Sequence, residues 1–445
     1  MRTLMLAFLS GLILLSTAAA MPFSRGELLV RLNEGAMLDR AAYETLFTGF
    51  RPGLSVSAVS TLELGALRYQ RVTLAGVDLL EDAAVREEAI ARLNGHPAVA
   101  AAFENTALEI PAWTEKLPPK KPVRTHSWHL EATAAHHGWL ASKGRGVIVA
   151  VIDTGVDYRH ELLAPNIWTN EAEAKGKPGL DDDQNGYIDD YRGWDFTKNA
   201  NDPLDSAGHG THCAGIIAAE HRFAAYFSGM APKAKVMPLK IIVGKTEGFL
   251  YDAAAAIKYA VDNGARVLSN SWRLYSNWTK YIPNKEALEL LALAIGYANE
   301  RNAVFIAAAG NESKDIDHLA NNLQIYPVGF TALPNLIGVA AFDVAGKLSN
   351  FSNYGAKAVH VAAPGTDVYS TVPDNKYKYM SGTSMATPVV AGLAALMLSY
   401  DGTLTPAEVL ELMVANSEPL PSLAGKVEAD GKINAYKTLY ETIAH

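Results

Sequence analysis

The chain has 445 residues, of which 49% are hydrophobic and 19% are charged, and its formal net charge at pH 7 is −8. This composition excludes a disordered protein and allows one large or two unequal folded domains. A surface that is acidic on balance gains nothing from a polyanion, so the charge argues against nucleic acid or an anionic membrane as a partner.

Residues 1–20 have the pattern of a secretory signal peptide. Arg2 precedes an apolar run over residues 4–15, and small residues follow up to Ala20, where cleavage is expected. The alternative is an uncleaved N-terminal anchor, although the run is shorter than the roughly 20 residues that cross a bilayer. No later segment of the sequence has the length and apolarity of a stable membrane span. We therefore expect an exported protein, either extracellular or periplasmic.

Residues 21–120 are predicted to form a small α+β domain followed by a linker. Strands are expected at residues 26–32, 62–74 and 99–103, and helices at residues 39–47 and 79–93. The prolines and lysines of residues 115–122 are typical of an exposed linker, where proteases cut.

Residues 121–445 have a different pattern, in which apolar strands alternate with helices. The expected strands are at residues 146–152, 236–243, 267–270, 304–309 and 337–341, and the expected helices at residues 211–220, 250–263, 285–302 and 384–399. Continuously apolar strands of this kind are covered on both faces. The prediction is an α/β domain, a parallel sheet with helices on both faces, whose site lies at the carboxyl ends of the strands.

Four polar residues occupy positions where such a sheet presents side chains. Asp153 and Asn311 each follow a predicted strand, His209 lies between glycines before a helix, and Ser384 opens a helix after Gly382. Each has an ordinary explanation when taken alone, namely turn formation for Asp153 and Asn311 and helix capping for His209 and Ser384.

Taken together, the four residues supply the parts of acyl transfer by a serine. A hydroxyl is a poor nucleophile at neutral pH unless a base takes its proton, and His209 is the candidate base for Ser384. Asp153 can accept the hydrogen bond that orients the imidazole, and the Asn311 amide can donate to an oxyanion. The order Asp, His, Ser along the chain is one of the known triad orders.

The sequences around these residues match a known family. They read Val-Ala-Val-Ile-Asp-Thr-Gly-Val-Asp at 149–157, His-Gly-Thr-His-Cys-Ala-Gly at 209–215, Ala-Ala-Ala-Gly-Asn at 307–311 and Gly-Thr-Ser-Met-Ala-Thr-Pro at 382–388. From about Ser127 onward the chain resembles the subtilisin-like serine proteases, the subtilases. The resemblance implies a serine endopeptidase that acts on proteins or peptides.

The resemblance also implies a role for each matched position. Ser384 would attack the peptide carbonyl, His209 would act as base and then acid, and Asp153 would orient His209. The Asn311 amide and the Ser384 backbone N–H would hold the oxyanion. The substrate cleft would be lined by Ser271, Trp272, Arg273, Gly248, Ala309 and Gly310.

Arg273 departs from the family pattern, which usually has a glycine at this edge of the cleft. Three interpretations are open. The arginine contacts acidic residues of the substrate, it narrows the cleft, or it points to solvent. If it obstructs the cleft, the chain is instead a catalytically silent, subtilase-like binding protein. Another serine acyl hydrolase, such as an esterase, is disfavoured because Ser384 lacks the Gly-x-Ser-x-Gly elbow.

The acidic loop at residues 181–190 predicts a structural calcium site. Oxygen ligands recur at Asp181, Asp183 and Asn185, with Tyr187 adding its backbone carbonyl and Asp189 a further oxygen. The loop resembles the first half of an EF-hand and the calcium-binding insertion of some subtilases. The alternative is a solvated acidic loop.

Cys213 is the only cysteine, so no intramolecular disulfide can form. With His209 and His212 it could in principle bind zinc, but on a helix His212 and Cys213 point in different directions and are not expected to converge. Instead we expect Cys213 to pack under the catalytic histidine and to confer sensitivity to thiol reagents.

The N-terminal α+β domain is similar in pattern and placement to a subtilase propeptide. The resemblance implies that it occupies the cleft, inhibits the enzyme, assists folding and is then removed by self-cleavage. The alternative is a permanent N-terminal domain. The expected product is a monomeric enzyme made as a signal-bearing zymogen.

Overall fold

The computed structural model describes residues 23–79, 82–116, 127–221, 227–244, 246–274, 283–319 and 323–444. The predicted signal peptide and most of the predicted linker lie outside the described residues.

The N-terminal unit is an antiparallel sheet with two helices. Its elements are β1 (Phe23–Leu32), α1 (Arg40–Leu46), β2 (Ser55–Leu64), β3 (Leu67–Ala75), α2 (Ala83–Asn94), β4 (Val99–Glu109) and β5 (Thr114–Lys116). The first four strands are ordered β2-β3-β1-β4. Apolar side chains of this sheet and of both helices form a core of their own. The α+β unit expected from the sequence is therefore present.

One predicted strand of this unit is wrong in detail. Residues 62–74 were expected to form a single strand, whereas the structure has a hairpin in which Leu64 pairs with Leu67. Gly65 lies in the turn with a φ of +61°, a conformation that costs glycine little. The apolar pattern continues on both sides of the turn, which is why the sequence reads as one strand.

The remainder of the chain forms an α/β domain. Its elements are α3 (Trp128–Ala132), α4 (Ala135–Gly138), β6 (Ile148–Asp153), α5 (Glu171–Lys175), β7 (Trp194–Asp195), α6 (His209–Ala218), β8 (Lys235–Lys240), β9 (Ile242–Val243), β10 (Glu247–Phe249), α7 (Leu250–Asp262), β11 (Val267–Asn270), β12 (Arg273–Leu274), α8 (Lys285–Glu300), β13 (Val304–Ala308), β14 (Leu336–Phe342), β15 (Val361–Pro364), β16 (Val368–Val372), β17 (Lys376–Ser381), α9 (Thr383–Tyr400), α10 (Pro406–Ala415), β18 (Glu418–Pro419), β19 (Gly431–Lys432) and α11 (Ala435–Ala444).

Nine strands form the central sheet, in the order β18-β19-β15-β14-β13-β11-β6-β8-β7. Every neighbouring pair is parallel except β18 and β19. All residues of β11, β13 and β14 are buried, while α6 packs on α9 and α7 packs on α8. The sheet is therefore covered on both faces, as its apolar strands predict.

Helix α9 is the central helix of this domain. It packs on β11, β13, β14 and β15. Contrary to the expectation from the sequence, α9 has the length and apolarity of a membrane span, as the one such helix among the described residues. However, 89% of its apolar window is buried inside the protein. Its apolarity is explained by this position in the core.

The two units share a sheet. Strand β4 of the N-terminal unit pairs with β10 through Leu108 and Gly248, and with β12 through Glu109 and Arg273. The chain then continues to β5, which pairs with β17. The end of the N-terminal unit thus lies along the edge of the α/β domain where the predicted site residues are found.

Candidate active site

Asp153 and His209 form a hydrogen-bonded pair closed to water. Asp153 is the last residue of β6, and His209 is the first residue of α6. His209 Nδ1 lies 2.8 Å from Asp153 Oδ1 and 3.0 Å from Oδ2, and the side chains are 0% and 1% exposed. A carboxylate can only accept, so Nδ1 carries the proton and Nε2 is left as the basic nitrogen.

Two local features bring this pair together. A Cβ at Gly210 would lie 2.1 Å from the Gly155 carbonyl oxygen, so only glycine lets the start of α6 approach the end of β6 this closely. The buried Asp205 carboxylate accepts from the N–H groups of Ala207, Gly208 and Thr211, and from two threonine hydroxyls. Asp205 was missed by the sequence analysis, because no motif marks it.

Ser384 lies in the first turn of α9, and its side chain is fully buried. Pro388 has no N–H to donate to the Ser384 carbonyl four residues earlier. That carbonyl instead accepts from Ser271 Oγ at 3.0 Å and faces Cys213 Sγ at 3.4 Å. The first turn of α9, which is the positive end of the helix dipole, is thereby held against Ser271 and Cys213.

The serine hydroxyl is not engaged by the histidine in this state. Ser384 Oγ lies 3.5 Å from the Ser271 carbonyl oxygen, at the outer limit of a hydrogen bond. His209 Nε2 is buried and has no hydrogen-bond partner within the described part of the chain. The nitrogen that a general base requires is therefore uncommitted.

The Asn311 amide is oriented by Thr383. Its Oδ1 accepts from both the backbone N–H and the hydroxyl of Thr383, at 2.8 Å each. Because the oxygen is fixed by these donors, the Nδ2 group must face the other way. Nδ2 donates to the carbonyl oxygen of Ala112 at 2.8 Å.

The end of the N-terminal unit crosses the site as an extended chain. Before Ala112, β4 lies between β10 and β12, and after it β5 pairs with β17. Between these strands, the Trp113 ring lies 4.7 Å from the His209 ring, centroid to centroid. A peptide of the chain itself therefore lies against His209 and Asn311.

The residues predicted to line the cleft fall into two groups. Gly248 and Arg273 pair directly with β4. Ala309 and Gly310 are tied by their carbonyls to Asn353, and Ser271 lies beneath Ser384. The Trp272 side chain is fully buried in the core against Phe305, so only its backbone is available to a substrate.

Arg273 contacts two glutamates, one from each unit. Its Nη2 lies 2.7 Å from Glu109 Oε1, its Nη1 lies 3.0 Å from Glu312 Oε1, and its side chain is 11% exposed. Burial raises the pKa of the Glu109 carboxyl, and Arg273 opposes that rise. Of the three interpretations of Arg273, the one in which it points to solvent is wrong.

His212 and Cys213 do not form a zinc site with His209. A ring nitrogen of His212 lies 3.1 Å from the Lys378 carbonyl oxygen, and burial lowers the pKa of His212 to about 3, so this neutral ring donates there. The Cys213 thiol is buried, and burial raises its pKa well above the ordinary value. The expected sensitivity to thiol reagents does not follow, since the thiolate is disfavoured and inaccessible.

The acidic loop brings together a different set of oxygens from the predicted one. Carboxylate oxygens of Asp181, Asp183 and Glu173 all lie within 4.8 Å of one another. Asn185 Nδ2 donates a hydrogen bond to Asp183 Oδ2, and the Tyr187 ring packs on Trp194. The Asp189 carboxylate is not part of this cluster and accepts from the N–H of Gly179 and the hydroxyl of Tyr191.

Glu173 was missed by the sequence analysis because it lies on α5, outside the loop. It is 2% exposed and accepts from the backbone N–H groups of Asp182, Asp183 and Asp189. Within the described ranges, none of the three clustered carboxylates forms an ion pair with a lysine or arginine. Hard oxygens clustered without a protein cation suit calcium.

Comparisons with known proteins agree with this geometry. Residues 144–435 match the model of the subtilase family. The chain is 34% identical over 354 residues to a thermophilic serine proteinase of Bacillus sp. (strain AK1), covering 79% of this chain and 76% of that protein. It is also 34% identical over 305 residues to thermitase of Thermoactinomyces vulgaris, covering 68% of this chain and 92% of thermitase.

Solved structures show the same fold. Fervidolysin from Fervidobacterium pennivorans, a keratinolytic enzyme related to subtilisin, matches 94% of this chain with a TM-score of 0.69 at 24% identity, and this chain spans 61% of it. MycP1 with its N-terminal propeptide removed matches 70% of this chain and 96% of its own length, with a TM-score of 0.54 at 26% identity. The chain belongs to the subtilase family and is a serine endopeptidase.

Proposed function

We propose that Asp153, His209 and Ser384 are the catalytic triad of an exported endopeptidase made as a self-processing zymogen. Ser384 Oγ attacks the peptide carbonyl carbon while His209 Nε2 takes its proton, and His209 then protonates the leaving amine. Asp153 holds Nδ1–H and stabilises the imidazolium. The oxyanion is held by the Asn311 amide together with the Ser384 backbone N–H.

One observation carries the proposal. The Ala112 carbonyl oxygen accepts from Asn311 Nδ2 at 2.8 Å, while the next residue, Trp113, lies against His209. A carbonyl that is held by the Asn311 amide beside His209 supports attack by Ser384 at this bond. We therefore assign Ala112–Trp113 as the first bond cut, which moves the propeptide boundary from residue 120 to residue 112.

The N-terminal unit is well placed to inhibit the enzyme before cleavage. It supplies β4 on one side of the Ala112–Trp113 bond and β5 on the other, so both halves of the cleft are filled. Backbone pairing of this kind adds a strand to an exposed edge, a common mode of peptide binding. Other substrates are excluded while it remains.

A buried ion pair also joins the two units. Arg71 Nη1 lies 2.7 Å from Asp252 Oδ1, and the Arg71 guanidinium lies 4.6 Å from the Tyr251 ring centroid. Burial raises the pKa of Asp252 to about 7, against the opposing effect of Arg71. Docking of the N-terminal unit thus depends on the ion pair between Arg71 and Asp252, in addition to the pairing of β4 with β10 and β12.

The rival function, a silent binding protein with an obstructed cleft, is less well supported. The Arg273 backbone pairs with β4, and its side chain turns to Glu109 and Glu312. An extended chain therefore passes beside Arg273 without being blocked. A fluorophosphonate probe separates the two functions, because only an activated serine reacts with it.

We further propose a structural calcium ion at Glu173, Asp181 and Asp183. Glu173 provides a carboxylate from outside the loop. An ion here would offset the repulsion among the three carboxylates and fix α5 to the loop. Of the other ligands expected from the sequence, we keep the Asn185 side chain and the Tyr187 backbone carbonyl as oxygen ligands of this ion and omit the Asp189 side chain.

The remaining assignments follow from the sequence. The signal-like residues 1–20 support export to the periplasm or the cell exterior. The substrates are proteins or peptides, and the processed enzyme acts as a monomer.

Replacement of the nucleophile tests processing. The full chain with Ser384→Ala is expected to retain the Ala112–Trp113 bond and to lose about 10⁶-fold in turnover, whereas the wild-type enzyme begins at Trp113. Intact mass and N-terminal sequencing measure both. Active wild-type protein that still begins near Met21 would refute removal of the N-terminal unit.

Replacement of the oxyanion donor tests Asn311. The variant Asn311→Ala is expected to lose about 10²- to 10³-fold in kcat, because the amide donor acts chiefly in the transition state. Asn416→Ala, at the C-terminal end of α10, is the control and should leave kcat unchanged. Equal kcat for both variants would remove Asn311 from the mechanism.

Removal of the buried arginine tests docking. In the complex, Arg71→Ala leaves Asp252 buried without its charge partner, which costs roughly 3 kcal/mol of binding free energy. The inhibition constant of the cleaved N-terminal unit should therefore rise by about a hundredfold. Arg40→Ala removes an exposed pair within α1 and is the control. Inhibition that is equally strong in both variants would contradict the assigned interface.

Chelation tests the calcium site. Addition of a chelator is expected to lower the Tm of the wild-type enzyme, and Glu173→Gln should weaken calcium binding measured by calorimetry and reduce that shift. Glu171→Gln is a matched control on the same helix, since Glu171 is exposed and paired with Lys175. Calcium binding that is unaffected by Glu173→Gln would place the ion elsewhere.

A further inference from the structure

We propose that the processed enzyme selects substrates with an acidic side chain at the fourth position before the bond cut, and that Arg273 recognises it. This inference rests on the proposed peptidase function. It goes beyond that function, because it names the residue and the substrate charge that set selectivity.

The register of the bound chain defines the position. With Ala112 supplying the carbonyl that faces Asn311, the fourth residue counted back from the bond is Glu109. Glu109 is also the residue that pairs with Arg273 in the strand alignment of β4 and β12. Any substrate that follows the same path therefore brings its fourth residue to Arg273.

The contact between these side chains is close and largely desolvated. Arg273 Nε and Nη2 approach the same oxygen, Glu109 Oε1, at 2.8 and 2.7 Å. The two side chains are 11% and 15% exposed. Charge-assisted hydrogen bonds shielded from water in this way are among the strong ones.

Arg273 is held in place by the enzyme itself. Glu312 Oε1 lies 3.0 Å from Arg273 Nη1, and Glu312 Oε2 accepts from Asn353 Nδ2 at 2.6 Å. Asn353 in turn binds the backbone of Ala309. The guanidinium therefore keeps its position when the N-terminal unit leaves. Its Nη1 stays paired with Glu312, while Nε and Nη2 become available to a substrate carboxylate.

The same arrangement disfavours other side chains. A neutral side chain at the fourth position would leave Arg273 without its second charge partner in a shielded site. A lysine there would place two cations together. Selectivity should thus follow the order acidic, neutral, basic.

The test uses a peptide with the sequence of residues 107–116 and its Glu109→Gln and Glu109→Lys versions. The full chain is expressed, allowed to process itself and purified. We expect kcat/KM to fall by about tenfold to a hundredfold for Glu109→Gln and further for Glu109→Lys, as for loss of a charge-assisted hydrogen bond. Equal kcat/KM for the three peptides overturns the proposal.

A matched peptide controls for overall charge. Glu115 lies beyond the cut bond, where it pairs with Lys378 at 2.9 Å and is 35% exposed. Because an exposed pair is weak, Glu115→Gln should change kcat/KM much less than Glu109→Gln does. A loss as large as that for Glu109→Gln would mean that total charge is recognised, and would overturn the role of Arg273.

Two enzyme variants assign the effect to Arg273. Arg273→Gly should cleave the parent and Glu109→Gln peptides at similar rates, and Arg273→Glu should prefer the Glu109→Lys peptide. A preference for Glu109 that persists in Arg273→Gly would overturn the assignment. The wild-type series remains decisive even if a variant fails to fold.

Active-site labelling separates a failure of the proposed peptidase function from a failure of the role assigned to Arg273. The fraction of Ser384 that reacts with a fluorophosphonate gives the active concentration for every kcat/KM. Protein that neither reacts nor cleaves overturns the peptidase function and the inference with it. Protein that reacts and cleaves the three Glu109 peptides equally overturns the inference alone.

Discussion

The hydrogen bond between His209 and Asp153 is the interaction on which the site depends. It joins the end of β6 to the start of α6 in a place closed to water. The bond fixes the tautomer of the histidine and leaves Nε2 without a hydrogen-bond partner among the described residues. Gly210 and the buried Asp205 stabilise this hydrogen bond, because both determine how closely the start of α6 approaches the end of β6.

The second constraint is the start of α9. Because Pro388 has no N–H, the Ser384 carbonyl lacks its helical donor and accepts from Ser271 Oγ instead. Ser271 directly follows β11, so this bond links Ser384 to the end of that strand. Thr383 orients Asn311 from the same turn. One helix terminus therefore positions both the nucleophile and the amide, while the sheet positions the base and its partner.

The α/β fold and the four central residues could be predicted from the sequence because their signals are local. Apolar strands, helix periodicity and short motifs around Asp153, His209, Asn311 and Ser384 each lie within a few residues. The family comparisons confirm the fold and the class of enzyme.

Contacts between distant segments could not be predicted in this way. Glu173 joins the acidic loop from a separate helix, and Glu109 reaches Arg273 from 164 positions away. No spacing rule in the sequence links such pairs, because Glu173 meets the acidic loop only in the folded α/β domain and Glu109 meets Arg273 only when the two units dock. Arg273 could be recognised as a departure from the family pattern, but its partner required the folded chain.

The N-terminal unit blocks the active serine until the Ala112–Trp113 bond is cut and the unit is released. This block is tested most directly by treating a partly processed sample with a fluorophosphonate and determining the N-terminus of the labelled molecules. We predict that label on Ser384 is found on chains that begin at Trp113, free of the N-terminal unit. Label on Ser384 of chains that still carry residues 23–112 uncut would contradict the claim.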